Sequence, residues 1–238
     1  MGEFEHCQVL GPFNTGTALM HAYVKQLFQN FRPDRFPYWK HSLPPSYQRN
    51  SDNQVVADGS TGEFPGVLFV CMVRSPYFWL PATSRRHYNL NFHVHSFDMG
   101  QRLRSPVYFN GELFTNLVKV WNGFYRQYAA HLEPLGRVIY IRLEDLVKNP
   151  RDTLQVLETK LERKHGSDTQ ASIDLVTRAP RKVDNAFGET WEEKNRLDFV
   201  TRTLRSADLS FINQQLDPLL MKKFGYPWAW ASPQGALL

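Results

Sequence analysis

The residues best equipped for chemistry come early, in Gly11-Pro12-Phe13-Asn14-Thr15-Gly16-Thr17-Ala18. Two glycines spaced in this way let the backbone curl and approach a ligand closely. Main-chain N–H groups between them, joined by threonine hydroxyls, can hold an oxyanion, above all where a helix begins. The spacing fits the Gly-x4-Gly-Lys-Ser/Thr phosphate loop. Thr17 stands where that loop has its lysine, and Ala18 where it has the magnesium-binding hydroxyl. Such a loop holds a phosphate but lacks the cation and the metal ligand of magnesium-assisted phosphoryl transfer. The plain alternative is a glycine-rich turn without a ligand.

Further candidates are cationic. Arg74 leaves the end of the apolar run Val67 to Val73, and Thr83, Ser84, Arg85 and Arg86 follow within a few helical turns. Ligands of open α/β sheets bind outside the carboxyl ends of the strands, where a guanidinium and a hydroxyl can share one phosphate. Arg85 and Arg86 read equally well as a solvated face. Lys40-His41 lies in a long polar stretch. A neutral imidazole there can accept a proton near pH 7, although a Lys-His pair in a loop more often faces solvent. Asp58, Glu63, His93 and His95 are the other candidate bases. His93 and His95 have the alternate spacing of a metal pair on a strand, with no third and fourth ligand nearby, and no metal is expected. Trp79, Tyr88, Phe92 and Phe97 could line an acceptor pocket, with at least half of them expected in the core.

The elements that must position these groups follow from periodicity. A strand over Cys7 to Leu10 runs into the glycine loop, and a helix over Thr17 to Phe31 carries Leu19, Met20, Tyr23, Val24, Leu27 and Phe28. Residues 32–66 have no clear period, and a connection this long is functional or mobile. Val67 to Val73 suits a buried parallel strand, followed by a helix from Pro76 to about Tyr88 and an irregular stretch over 89–110. Glu112 to His131 reads as an amphipathic helix and Val138 to Ile141 as a strand. Asn149-Pro150 starts a helix running to about Lys164. The last helix, near Ala207 to Lys223, stops at Gly225. Strands alternating with helices predict an α/β fold, with a central parallel sheet flanked by helices on both faces and a P-loop-like turn after the first strand.

The 238 residues suffice for one sizeable domain spanning 1–238. A formal charge of +5 suits an anionic ligand without pointing to nucleic acid. Cys7 and Cys71 lie in apolar runs and read as buried free thiols. No apolar run approaches the length of a membrane span, and no signal peptide is evident. His6 stands where N-myristoylation needs Ser or Thr. A soluble cytoplasmic protein, or a soluble catalytic domain trimmed from a longer chain, is expected, without stable membrane insertion.

Taken in order, these segments resemble the PAPS-dependent sulfotransferase family. Pro12-Phe13-Asn14-Thr15-Gly16-Thr17 resembles its 5′-phosphosulfate loop, and Val70-Cys71-Met72-Val73-Arg74-Ser75-Pro76 resembles its 3′-phosphate strand. Tyr140-Ile141-Arg142-Leu143-Glu144-Asp145-Leu146 resembles its Arg-Tyr-Glu-Asp-Leu segment, while Trp121 to Tyr125 and Leu220 to Tyr226 fit more weakly. Trp39-Lys40-His41-Ser42-Leu43-Pro44 resembles its Lys-Thr-His-Leu-Pro stretch, with the histidine shifted by one. The resemblance implies a P-loop-like fold and in-line sulfuryl transfer from PAPS to a hydroxyl or amine, with PAP as product and no metal. A small-molecule acceptor is expected, with a glycan as the alternative. Pro12, Phe13, Asn14, Thr15, Gly16, Thr17 and Ala18 would hold the 5′-phosphosulfate, and Arg74 with Thr83 or Ser84 the 3′-phosphate. Arg181 and Lys182 are a loose counterpart of the family's late Arg-Lys-Gly loop. Lys40 would approach the sulfuryl group and His41 would act as general base.

The chain departs from the family at two further points. Asn14 replaces the loop lysine that contacts the bridging oxygen and the sulfuryl group, which makes Lys40 the candidate substitute. Ala82 stands at the family's serine, so Thr83 or Ser84 must supply that hydroxyl. A sulfuryl group carries one charge fewer than a terminal phosphoryl group, so hydrogen bonds and cationic side chains can stabilise its transfer without a metal. Two other readings compete: a PAP- or PAPS-binding protein with weak or lost catalysis, and a nucleoside or nucleotide kinase with a degenerate loop.

Overall fold

A computed structural model describes residues 4, 6–27, 40–41, 43, 48–49, 55–56, 67–85, 88–95, 98–161 and 204–229. Along the chain run β1 (His6–Leu10), α1 (Thr17–Leu27), β2 (Gln48–Arg49), β3 (Val55–Val56), β4 (Val67–Val73), α2 (Pro76–Ser84), β5 (Asn91–Phe92), α3 (Met99–Arg104), β6 (Val107–Phe109) and β7 (Glu112–Phe114). These are followed by α4 (Leu117–His131), β8 (Val138–Arg142), α5 (Leu143–Lys148), α6 (Pro150–Leu161), α7 (Ser206–Gln215) and α8 (Pro218–Lys223). The chain divides into two compact units, 1–74 with 124–184 and 75–123 with 185–238.

The first unit is α/β. Its parallel sheet has the order β1-β4-β8, with Leu10 beside Cys71 and Val73 beside Arg142. All seven residues of β4 are buried, which is why its sequence is an unbroken apolar run. Strand β8 alternates instead: Ile139 and Ile141 are buried, while Val138, Tyr140 and Arg142 are half-buried. Ile139 and Ile141 share one core with Val9, Met20, Val24, Val70, Met72, Leu146, Leu154 and Leu157. Helices α1, α5 and α6 therefore flank the sheet. Each fully buried leucine there contributes about 1.5–3 kcal/mol. The Tyr125 hydroxyl donates to the Met72 carbonyl at 3.2 Å, near the carboxyl end of the central strand. Both cysteines are buried and unpaired with each other.

The second unit holds an antiparallel sheet, β5-β6-β7. Phe109 pairs with Glu112 across a two-residue turn. Asn110 and Gly111 there have φ of 49° and 83°, the left-handed pair that an Asn-Gly hairpin needs. Residues 89–110 thus contain β5, α3 and β6, where an irregular stretch was expected. Helix α4 begins at Leu117 rather than Glu112, because the Asn116 side chain caps it by accepting the Lys119 N–H at 3.0 Å. The expected last helix is two, α7 and α8. Pro218 supplies no N–H, and the Asp217 carboxylate takes the N–H groups of Leu219 and Leu220 as a new helix cap. Helix α2 ends at Ser84, four residues before the expected Tyr88.

Most of the stretch 32–66, the helix ends expected beyond Leu27 and Leu161, and Arg86, Phe97, Arg181 and Lys182 lie outside the described residues. Among the described residues, no helix is long and apolar enough to cross a membrane.

Candidate functional site

The site is built at the carboxyl end of β1 in the first unit. The chain leaves Leu10, turns over Phe13 to Gly16 and enters α1 at Thr17. Asn14 and Gly16 hold left-handed φ of 62° and 82°. Asparagine tolerates that region better than other side-chain-bearing residues, and glycine does so freely. The space around the glycines is closed as well. A Cβ on Gly16 would meet Leu143 Cδ1 at 2.5 Å, and one on Gly11 would meet Thr15 Oγ1 at 2.6 Å. The fully buried Thr15 hydroxyl donates to the Pro12 carbonyl at 2.6 Å. Its proton is thus committed inside the loop, and its contribution is to hold the turn. Helix α1 then opens with the Met20 N–H on the Gly16 carbonyl at 2.9 Å. The first N–H groups of a helix have no carbonyl of their own to bond, so this end of α1 carries the positive end of the helix dipole. Pro12 and Thr17 are buried, Phe13 is half-buried and Ala18 is exposed.

Two segments distant in sequence converge on this loop. The Gly11 N–H donates to the Lys40 carbonyl at 2.9 Å, and His41 Nδ1 lies 2.7 Å from the Gly11 carbonyl oxygen. One residue of the loop, Gly11, is therefore held through both its N–H and its C=O by Lys40-His41. The Phe13 ring packs against the imidazole, centroids 4.2 Å apart. A carbonyl can only accept, so the neutral ring carries its proton on Nδ1 and Nε2 is the basic nitrogen. Burial pushes the His41 pKa down to about 4, against the partial support of the Gly11 carbonyl, and the Lys40 charge adds to the downward push. At neutral pH His41 is uncharged. From the end of β4, Arg74 reaches back and donates from Nη1 to the Asn14 carbonyl at 3.1 Å.

Of the expected site residues, the structure brings Gly16, Asn14, Thr15, Arg74, Lys40 and His41 to one loop. Thr83 and Ser84 lie in the second unit, both buried on α2, where Ser84 Oγ donates to the Pro81 carbonyl at 3.0 Å. Trp79 is a core residue, 1% exposed. Phe92 packs under the buried Arg102 guanidinium, Tyr88 is half-buried, and His93 and His95 are exposed. Asp58 and Glu63 lie outside the described residues. Leu143, to which the sequence attached no role of its own, fills the space in front of Gly16, because the strand register places the end of β8 beside the end of β4.

No protein-family model matches the chain, and no curated protein is significantly similar to it.

Proposed function

We propose that the chain is a sulfotransferase that uses PAPS as donor, with the β1–α1 loop as the seat of the 5′-phosphosulfate. The observation that carries this reading is the hold of Lys40-His41 on both the N–H and the C=O of Gly11. Those two segments are 30 residues apart, and the sulfotransferase resemblance assigns both to one reaction centre. The residues present suit the donor. The first main-chain N–H groups of α1 would hold the 5′-phosphate, and Arg74 reaches the loop at the Asn14 carbonyl.

When bound, PAPS supplies a sulfuryl group whose sulfur is attacked by the acceptor oxygen or nitrogen while the bond to the 5′-phosphate oxygen breaks and PAP departs. The chain's own residues bind, orient and move the proton. His41 accepts the acceptor proton at Nε2, held in orientation by the Gly11 carbonyl at Nδ1. A ring with a pKa near 4 is a weak base; anionic phosphate charge beside it raises that value toward the working range. Lys40 stabilises the charge that grows on the bridging oxygen, the role Asn14 cannot fill. Arg74 is assigned to the 3′-phosphate.

A specific observation favours a second reading, a PAP-binding protein with lost catalysis. The loop position proper to the lysine holds the neutral Asn14 in a left-handed conformation suited to asparagine. Turnover with sulfur-labelled PAPS against a panel of alcohols, phenols, amines and oligosaccharides separates the two. Label transfer that is abolished in His41→Ala supports the enzyme. Saturable PAP binding with no transfer to any acceptor supports the binding protein.

A further inference from the structure

Resting on that reading, we propose that Phe13 is a positioning residue for His41: its ring fixes the plane of the imidazole and keeps water from its face. The resemblance counts Phe13 among the residues around the 5′-phosphosulfate, but a phenyl ring has no donor to offer a phosphate. Main-chain N–H groups serve that purpose in a loop of this kind. The structure shows where the ring goes instead. Its centroid lies 4.2 Å from that of the imidazole, with 33° between the two planes, and His41 is left 7% exposed.

Two contacts are needed to orient the imidazole. The hydrogen bond between Nδ1 and the Gly11 carbonyl, at 2.7 Å, fixes one direction and leaves the ring plane free to tilt about that axis. A second ring against its face removes this freedom. With both contacts in place the lone pair of Nε2 points along one line, as proton transfer requires. The electrostatics of the loop agree. Residues 11–16 carry no charged side chain, so the loop acts on the imidazole through its carbonyls and through apolar cover. Burial disfavours the protonated ring and outweighs the Gly11 and Pro12 carbonyls, which favour it, while the Lys40 charge adds a smaller push against the proton. Arg74 reaches the same loop at the Asn14 carbonyl. Phe13 supplies the apolar cover on one face of the ring.

The test is a pH titration of the full chain by NMR, with the His41 signals assigned by their loss in His41→Asn. Wild-type His41 should stay neutral down to about pH 5. Phe13→Ala wets the ring face, and the His41 midpoint should rise by at least about one pH unit, a tenfold gain in proton affinity. Phe13→Leu, apolar but without a flat face, should fall between, and Phe13→Tyr should match the wild type. In the label-transfer assay the acid limb of kcat/KM reports the free enzyme. It should move up with the midpoint, because the neutral ring is the base. Above that limb Phe13→Ala should lose about 10–100-fold in kcat, the cost of a misplaced reacting group, and more than it loses in donor affinity. A structural role alone would leave both the midpoint and the acid limb in place. A wild-type midpoint in Phe13→Ala overturns the proposal, as does a Phe13→Tyr midpoint that rises with it. If Phe13→Ala does not fold, a wild-type midpoint in Phe13→Leu overturns it instead. A wild type that transfers no label, with the midpoints moving as expected, overturns the sulfotransferase reading while the hold of Phe13 on His41 stands.

Discussion

The buried imidazole of His41 makes a quantitative prediction about stability and pH. Its pKa falls from the ordinary 6.5 to about 4 in the folded chain, chiefly through burial. Between those values the unfolded chain binds a proton that the folded chain refuses, so stability rises with pH across this window and is lost as pH falls through it. A tenfold change in proton affinity corresponds to about 1.4 kcal/mol, and the drop spans about two and a half such factors, which gives a loss of about 3 kcal/mol by pH 4. His41→Asn isolates the effect, because the amide can still donate to the Gly11 carbonyl but does not titrate. Urea unfolding of wild type and variant, measured from pH 7.5 to pH 4, gives the difference directly. The wild-type curve should fall below the variant's as pH drops from about 6.5, with the gap widening to about 3 kcal/mol. Curves that stay parallel across the window would show an imidazole that titrates as in water, and the docking of Lys40-His41 on the loop would be refuted.

Three further outcomes follow from the same geometry. Gly16→Ala should destabilise the chain by about 2–4 kcal/mol in chemical denaturation, since a left-handed φ of 82° and a Cβ 2.5 Å from Leu143 Cδ1 act together; its PAP affinity should fall as well. In the label-transfer assay, His41→Ala should lower kcat by about 10²–10⁴-fold with PAP affinity little changed, and Lys40→Met should lower kcat more than it weakens PAP binding. Asn14→Lys should restore part of the activity lost in Lys40→Met while lowering stability by about 1–2 kcal/mol, because lysine gives up the asparagine's tolerance of φ 62°.

The sheet was legible in the sequence where burial is complete. Strand β4 matches its apolar run residue for residue, because a strand buried on every position admits no polar interruption. Strand β1 was legible from its apolar Val9-Leu10 end and α1 from its helical spacing of Met20, Tyr23 and Val24, with Gly16 marking the turn between them. The second unit was not, and its failures have particular causes. The Asn110-Gly111 hairpin was present in the sequence as a turn signal, but its two strands are three residues long each, too short to show a period. The break between α7 and α8 was written in Asp217-Pro218, a cap followed by a first-turn proline, and was hidden by apolar residues continuing on both sides. At the site, residue type suggested His41 and Arg74, yet their meeting at the loop depends on main-chain contacts of Gly11 and Asn14. Backbone groups are common to every residue, so no pattern of side chains announces such contacts. Thr15 illustrates the reverse: its hydroxyl was expected to face a ligand, and the structure turns it onto the Pro12 carbonyl.

The central claim is that the β1–α1 loop with Arg74 binds the adenosine bisphosphate PAP without a metal. Titration of the full chain with PAP by calorimetry, in the presence of EDTA, tests it most directly. One saturable site is expected, with Arg74→Ala weakening it by about 1.5–3 kcal/mol, the value of a charge-assisted hydrogen bond. No heat with PAP, or binding of ATP that requires magnesium and exceeds that of PAP, would contradict the account.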